Sequence, residues 1–223
     1  MKKTAIVLGA TGLTGSLLLQ LLIEDERYEL IKLFSRKKIT GLPSKVKQFI
    51  GNVIELETFK NDFTADEVFC CIGTTAKKTP NKELYKSIDY GIPVNAAKLA
   101  KANQINTFLV VSALGANAKS NIFYNKTKGE MERDVLQQNI GNTYILQPSI
   151  IGGNRNEIRI GEKIGLTLFK IIQPLFIGKL KKYKITEAKD IANTMVILAN
   201  SKALTEKIIT SDYIKEISKT KNN

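Results

Sequence analysis

Three glycines near the start of the chain restrict its fold tightly. Gly9, Gly12 and Gly15 form a G-x-x-G-x-x-G run, which follows the apolar segment 4–8 and opens the leucine-rich segment 13–24. A short apolar run ending in glycine reads as a buried parallel strand, and the longer leucine-rich run reads as a helix. Joining the two this closely needs backbone free of Cβ atoms. Gly9 permits the sharp exit from the strand, Gly12 lets a ligand approach the backbone, and Gly15 lets the helix lie close on the sheet. The helix start then presents free N–H groups and the positive end of its dipole, which suits phosphate. Thr11, Leu13 and Thr14 line the same turn.

The alternation continues along the chain. Segments 29–34, 46–50, 67–72, 107–111 and 143–146 read as strands. Segments 81–103 and 125–138 read as helices, the first bent or broken near Gly91 and Pro93. Strands alternating with helices predict an α/β fold with a doubly wound parallel sheet, the Rossmann fold. After Pro148 the pattern changes. Segment 150–160 reads as a charged, glycine-containing loop, and 164–172 as an apolar helical stretch that either covers a site or completes the core. Segment 184–186 reads as extended, 187–199 as a helix, 208–210 as a last strand, and 211–217 as a short helix capped by Ser211. We read residues 1–223 as a single domain in which 149–223 form a small C-terminal extension on the substrate side.

Composition excludes several classes. The net charge is +13, yet no lysine run exceeds two, and no basic run is interleaved with aromatics. Scattered lysines read as solvated surface, so nucleic acid is not expected as a partner. There is no histidine, which removes any Ser-His-Asp triad and any histidine-bearing metal site. No metal is expected. Cys70 and Cys71 are adjacent, and neighbours on a strand point to opposite faces, so no disulfide joins them. They read either as core filling or as a reactive thiol beside a ligand. The apolar stretch 164–177 contains Lys170 and Pro174 and is too short to span a bilayer. The start of the chain runs into the glycine turn without a cleavage site, so we expect a cytoplasmic protein with no membrane association.

The second strand ends at Ser35, Arg36, Lys37 and Lys38. In a dinucleotide fold this end faces the adenosine ribose, where an acidic residue binds a free 2′-hydroxyl and basic residues bind a 2′-phosphate. Arg36 and Lys37 therefore favour NADP over NAD. Beyond the fifth strand stands Ser112, and twelve residues later Tyr124, followed four residues on by Lys128. That spacing puts Tyr124 and Lys128 on one helix face. An ammonium beside a phenol lowers its pKa toward working pH. Tyr124 then serves as general acid or base for carbonyl reduction or its reverse, with Ser112 hydrogen-bonding the substrate oxygen and Lys128 also reaching the nicotinamide ribose.

These residues resemble the short-chain dehydrogenase/reductase superfamily in its atypical or extended form. Segments 69–75, 111–116 and 124–130 further resemble its Tat-interacting-protein branch and bacterial relatives. The resemblance spans roughly residues 3–210 and is strongest up to Pro148. It implies an NADP-binding domain with a Ser-Tyr-Lys site. It places Asn52 and Val53 near the adenine, with Asn52 in place of the commoner Asp. It also places Cys71, Ile72, Gly73 and Thr74 beside the ribose and phosphates, and Pro148, Ser149 and Ile150 beside the nicotinamide. Asp89 stands where many relatives carry Asn, a departure from their proton relay.

The function expected is NADP-dependent oxidoreduction of a small carbonyl or alcohol. Two alternatives stay open: a sugar-nucleotide epimerase-like enzyme, and a non-enzymatic NADP-sensing protein that acts through a protein partner. About 75 residues follow Pro148, less than a sugar-nucleotide lobe usually needs. The apolar stretch 166–172 would suit a homodimer contact.

Overall fold

The computed structural model describes residues 2–153 and 178–220. Seven parallel strands form one sheet: β1 (Lys3–Leu8), β2 (Tyr28–Ser35), β3 (Val46–Ile50), β4 (Glu67–Cys70), β5 (Thr107–Val111), β6 (Asn142–Gln147) and β9 (Ile208–Thr210), in the order β3-β2-β1-β4-β5-β6-β9. A separate two-stranded pairing joins β7 (Ile151–Gly152) to β8 (Thr186–Glu187). The helices are α1 (Leu13–Glu24), α2 (Lys82–Lys86), α3 (Ile92–Ala102), α4 (Phe123–Leu136), α5 (Ala188–Asn200) and α6 (Ser211–Lys219). This is the doubly wound Rossmann architecture. The winding reverses between β1 and β4, and in such sheets ligands bind beyond the carboxyl ends of the strands at that point. The loop 150–160 lies in part, and the apolar stretch 164–172 wholly, outside the described residues.

Side-chain alternation along the strands divides the core in two. Val7, Leu33, Leu109 and Leu146 face a layer built by α1, α5 and α6 through Leu18, Leu22, Met195 and Ile214. Ile6, Leu8, Phe34 and Phe108 face the opposite layer, which holds Val94, Leu99, Met131 and Val135 of α3 and α4. The two cysteines obey the same rule. Cys70 packs in the second layer, whereas Cys71 turns to the first and lies 3.8 Å from the Met195 sulfur. Burial raises both thiols, Cys70 to about 11. Their surroundings match core filling. The C-terminal segment completes this body: β9 pairs with β6, and α5 packs against α1.

Two elements differ from the sequence reading. Gly91 and Pro93 do not break the helix. Gly91 is helical (φ −61°, ψ −50°), and Pro93 lies in the first turn of α3, where its missing N–H leaves no hydrogen bond unmade. The accommodation is a π turn over Ser87–Gly91, which joins α2 to α3 and buries Asp89. A 3-10 stretch, Val53–Phe59, also follows β3.

The placement of α4 rests on Gly129. A Cβ at this position would land on the Ala118 nitrogen and 2.6 Å from the Asn117 Cα. No flexible side chain stands there to yield, because both obstacles are backbone. Gly129→Ala is therefore expected to destabilise the protein by about 1–3 kcal/mol, read as a lower urea midpoint at unchanged slope.

Candidate active site

The glycine turn is built as its spacing requires. Gly9 has φ +83°, and a Cβ there would sit 2.7 Å from the Cys71 carbonyl oxygen. A Cβ at Gly15 would land on the Gly9 oxygen and 2.7 Å from its carbonyl carbon. Gly12 is extended (φ −81°, ψ 169°) and caps α1 without any side-chain hydrogen bond, and the first turn of α1 holds no acidic residue. Its N–H donates to the Gly9 oxygen at 2.9 Å, and its carbonyl accepts from the Ser16 N–H at 2.9 Å. Thr11 and Gly12 are exposed, Leu13 is half-buried and Thr14 is buried. A helix start with no side-chain cap, reached over glycine, fits the phosphates of a dinucleotide.

The other positions that the resemblance assigns to a cofactor are set as follows. Ser35 donates its hydroxyl to the Lys37 carbonyl at 2.9 Å, while Arg36 and Lys37 are exposed at the end of β2. Asn52 caps the 3-10 stretch, accepting from the Ile54 N–H at 3.1 Å and donating to Glu55 Oε1 at 2.9 Å. Val53 is buried in the second core layer. Cys71 spends its side chain inward, so its backbone alone borders the turn. Ile72 packs against the second core layer. Pro148 is buried and its carbonyl accepts from the Leu114 N–H at 2.8 Å. Ser149 donates its hydroxyl to the Lys184 carbonyl, and its N–H donates to Thr186 Oγ1 at 3.2 Å. The side chain of Ile150 is exposed, and its carbonyl accepts from the Thr186 N–H at 3.0 Å. Ser149 and Ile150 are thus tied to β8.

Helix α4 begins at Phe123, two residues earlier than its sequence suggests, so Tyr124 stands in its first turn. Lys128 follows one turn later on the same face. Its Nζ lies 2.9 Å from Asp89 Oδ1, with the two side chains 4% and 1% exposed. The other Asp89 oxygen accepts from the Thr74 N–H at 2.7 Å. A Cβ on Gly73 would lie 3.6 Å from Asp89 Oδ1 and 3.9 Å from Lys128 Nζ. The exit of β4, the π turn and α4 therefore meet at one buried ion pair. Asp89, which the sequence marks only as a departure, is the partner of Lys128.

Tyr124 forms one wall of a cleft of about 270 Å³, lined also by Thr74, Thr75, Ala76, Tyr85 and Phe123. Tyr85 and Phe123 meet edge to face at 5.5 Å. Desolvation holds the Tyr124 hydroxyl above its ordinary range; Lys128 pulls it down and Asp89 pushes it up. The lysine acts in the direction the spacing predicts, but burial outweighs it and its charge is shared with Asp89. The phenol is neutral at pH 7. Ser112 is buried at the end of β5 and donates its hydroxyl to Glu132, a residue the sequence reading did not single out. Glu132 follows Lys128 by one further turn, and that four-residue spacing was the available signal.

The family model described as NAD(P)H-binding matches residues 9–153. The chain belongs to this NAD(P)H-binding family. Protein FMP52 of Debaryomyces hansenii is 34% identical over 161 residues, 69% of each chain. Protein HTATIP2 of Rattus norvegicus is 29% identical over 171 residues, 75% of this chain and 70% of its own. These matches agree with an atypical short-chain dehydrogenase/reductase of the Tat-interacting-protein branch. Among solved structures, UDP-glucose 4-epimerase of Thermotoga maritima superposes with a TM-score of 0.69 at 16% identity, covering 97% of this chain and 82% of that one. UDP-glucuronic acid 4-epimerase of Bacillus cereus, in complex with NAD, gives 0.68 at 14% identity, covering 99% and 84%. At such identities the likeness is one of fold. The FMP52 proteins of Debaryomyces hansenii, Scheffersomyces stipitis and Candida albicans are named mitochondrial, which overturns the cytoplasmic expectation. Among the described residues no helix is long and apolar enough to cross a membrane.

The buried pair sets a stability test. Asp89→Ala strands a buried ammonium and is expected to cost about 3–5 kcal/mol, measured by urea unfolding, whereas the double variant Asp89→Leu, Lys128→Met recovers most of it. Asp89→Asn removes the charge that pushes the phenol up, so ultraviolet titration is expected to find Tyr124 ionising at lower pH than in the parent chain.

Proposed function

We propose that this chain is an NADP-dependent reductase of small carbonyl compounds, with Tyr124 as proton donor. The observation that carries the reading is the shared helix face of Tyr124 and Lys128, with Lys128 paired to Asp89 under Gly73, two residues from the strand end that meets the glycine turn. Backbone N–H groups at the start of α1 would hold the pyrophosphate, and Gly12 leaves them open. Arg36 and Lys37 would pair with a 2′-phosphate. Bound there, the cofactor supplies a hydride from its nicotinamide ring.

The remaining chemistry belongs to the protein. Tyr124 keeps its proton at pH 7 and can give it to an oxygen that gains charge. Lys128, fixed by Asp89, replaces part of the charge stabilisation the phenolate loses by leaving water. Its ammonium carries three protons and meets Asp89 as an ion pair at 2.9 Å, which leaves donors for a ribose hydroxyl. Ala76, Tyr85 and Phe123 give the cleft a largely apolar lining that suits a compact apolar substrate. A phenol held above its ordinary range favours donation over abstraction, so reduction is the direction the site suits at neutral pH. The sugar-nucleotide chemistry of the solved neighbours is not carried over, because their likeness is of fold alone.

Titration of nicotinamide fluorescence tests the cofactor. NADPH is expected to bind more tightly than NADH, and Arg36→Ala to weaken NADPH alone, by about tenfold to a hundredfold. Equal affinities in the parent chain would remove the 2′-phosphate role. Tyr124→Phe is expected to lower turnover by about 10²–10⁴ with cofactor affinity unchanged. Tyr124 itself is expected to limit reduction only on the alkaline side, where its phenol ionises.

A further inference from the structure

Glu132 and Ser112 form a buried pair that the reaction above leaves unused. Ser112 is 4% exposed and Glu132 8%. The serine hydroxyl donates to Glu132 Oε1. Gln147, the last residue of β6, gives its side-chain amide to Oε1 at 2.9 Å and to Oε2 at 3.0 Å. The carboxyl is thus enclosed between α4, β5 and β6. Lys128, on its own helix, is the charged group that acts on it; Ser112 and Gln147, which face it from the two strands, are neutral.

Proton counting gives this arrangement a consequence. A serine hydroxyl has one proton to donate, and an ionised carboxylate can only accept. With Glu132 ionised, the Ser112 proton is held by Oε1, and the serine has only lone pairs to offer a ligand. With Glu132 protonated on Oε1, its own O–H donates to Ser112 Oγ while Oε2 keeps the Gln147 amide. The Ser112 proton is then released to point at a substrate oxygen.

We propose that Glu132 is a positioning residue whose protonation sets the donor direction of Ser112, so that a carbonyl oxygen is received only when Glu132 is neutral. The inference rests on the reductase reading of the site. One proton is taken up when Glu132 is neutralised; no covalent bond other than that O–H forms, and the serine hydroxyl only turns. Burial favours the neutral form, pushing Glu132 above the ordinary carboxylate range against the opposing pull of Ser112, Gln147 and Lys128.

The test begins with infrared difference titration of the full chain labelled with ¹³C-glutamate, which needs no substrate. A protonated carboxyl is expected to titrate above the ordinary glutamate range and to be missing from Glu132→Gln. In Ser112→Ala its midpoint is expected to rise further, because the lost hydroxyl stabilised the anion. NADPH consumption with phenanthrenequinone as probe carbonyl is expected to fall about tenfold per pH unit above that midpoint. Glu132→Gln, whose amide can donate to Ser112 as the neutral acid does, is expected to keep turnover and lose this limb, with an unchanged circular dichroism spectrum. A midpoint that Ser112→Ala leaves in place, or a limb that survives in Glu132→Gln, overturns the proposal. If the parent chain consumes no NADPH with any probe carbonyl, the reductase reading fails instead, and the Ser112→Ala midpoint alone decides whether the two residues are coupled.

Discussion

The constraint on which the site depends is the contact of α1 with the Gly9 carbonyl. It exists because position 15 has no Cβ; any side chain there would occupy the Gly9 oxygen. Gly9 in turn holds φ +83° and rests on the Cys71 carbonyl, where β4 leaves the sheet. Two residues on, Gly73 passes over the Asp89–Lys128 pair. Backbone contact therefore runs from the glycine turn to the ammonium on α4. The three spaced glycines do more than permit a turn. They fix the distance between the start of α1 and the polar face of α4.

Charge on that face is arranged around one lysine. Lys128 is buried with Asp89, and Glu132 lies one helical turn beyond it. A buried ammonium needs such a partner, since alone it would lose its hydration without return. Desolvation first, and the Asp89 charge after it, hold Tyr124 above the ordinary phenol range against the pull of Lys128. Burial also raises Glu132, against the hydrogen bonds of Ser112 and Gln147 and the charge of Lys128. Tyr124 and Glu132 are therefore both driven toward their protonated forms. A face poised in this way suits giving a proton to oxygen.

Much of this was legible in the sequence, and the rest had identifiable reasons not to be. Glycine spacing and apolar runs gave the strand–turn–helix start, the parallel sheet and the late strand Ile208–Thr210. The π turn was hidden because Gly91 and Pro93 read as breakers; a proline in a first turn makes no such break. The 3-10 stretch Val53–Phe59 carries no periodicity and shows only through its Asn52 cap. Asp89 stood out by residue type, but its pairing with Lys128 depends on the π turn that aims it inward. Glu132 was one helical turn from Lys128, yet its other partners, Ser112 and Gln147, sit on two strands brought beside it only by the sheet.

The central claim is that the glycine turn and the ends of β2 and β4 bind one dinucleotide. The most direct measurement is an amide-resolved ¹⁵N NMR titration with NADPH. The account expects shifts concentrated at 9–15, 35–37 and 71–74, with Asp89 and Lys128 following as neighbours. Shifts confined to the opposite ends of the strands, around Lys3, Glu67 and Thr107, or no shifts at saturating NADPH, would contradict it.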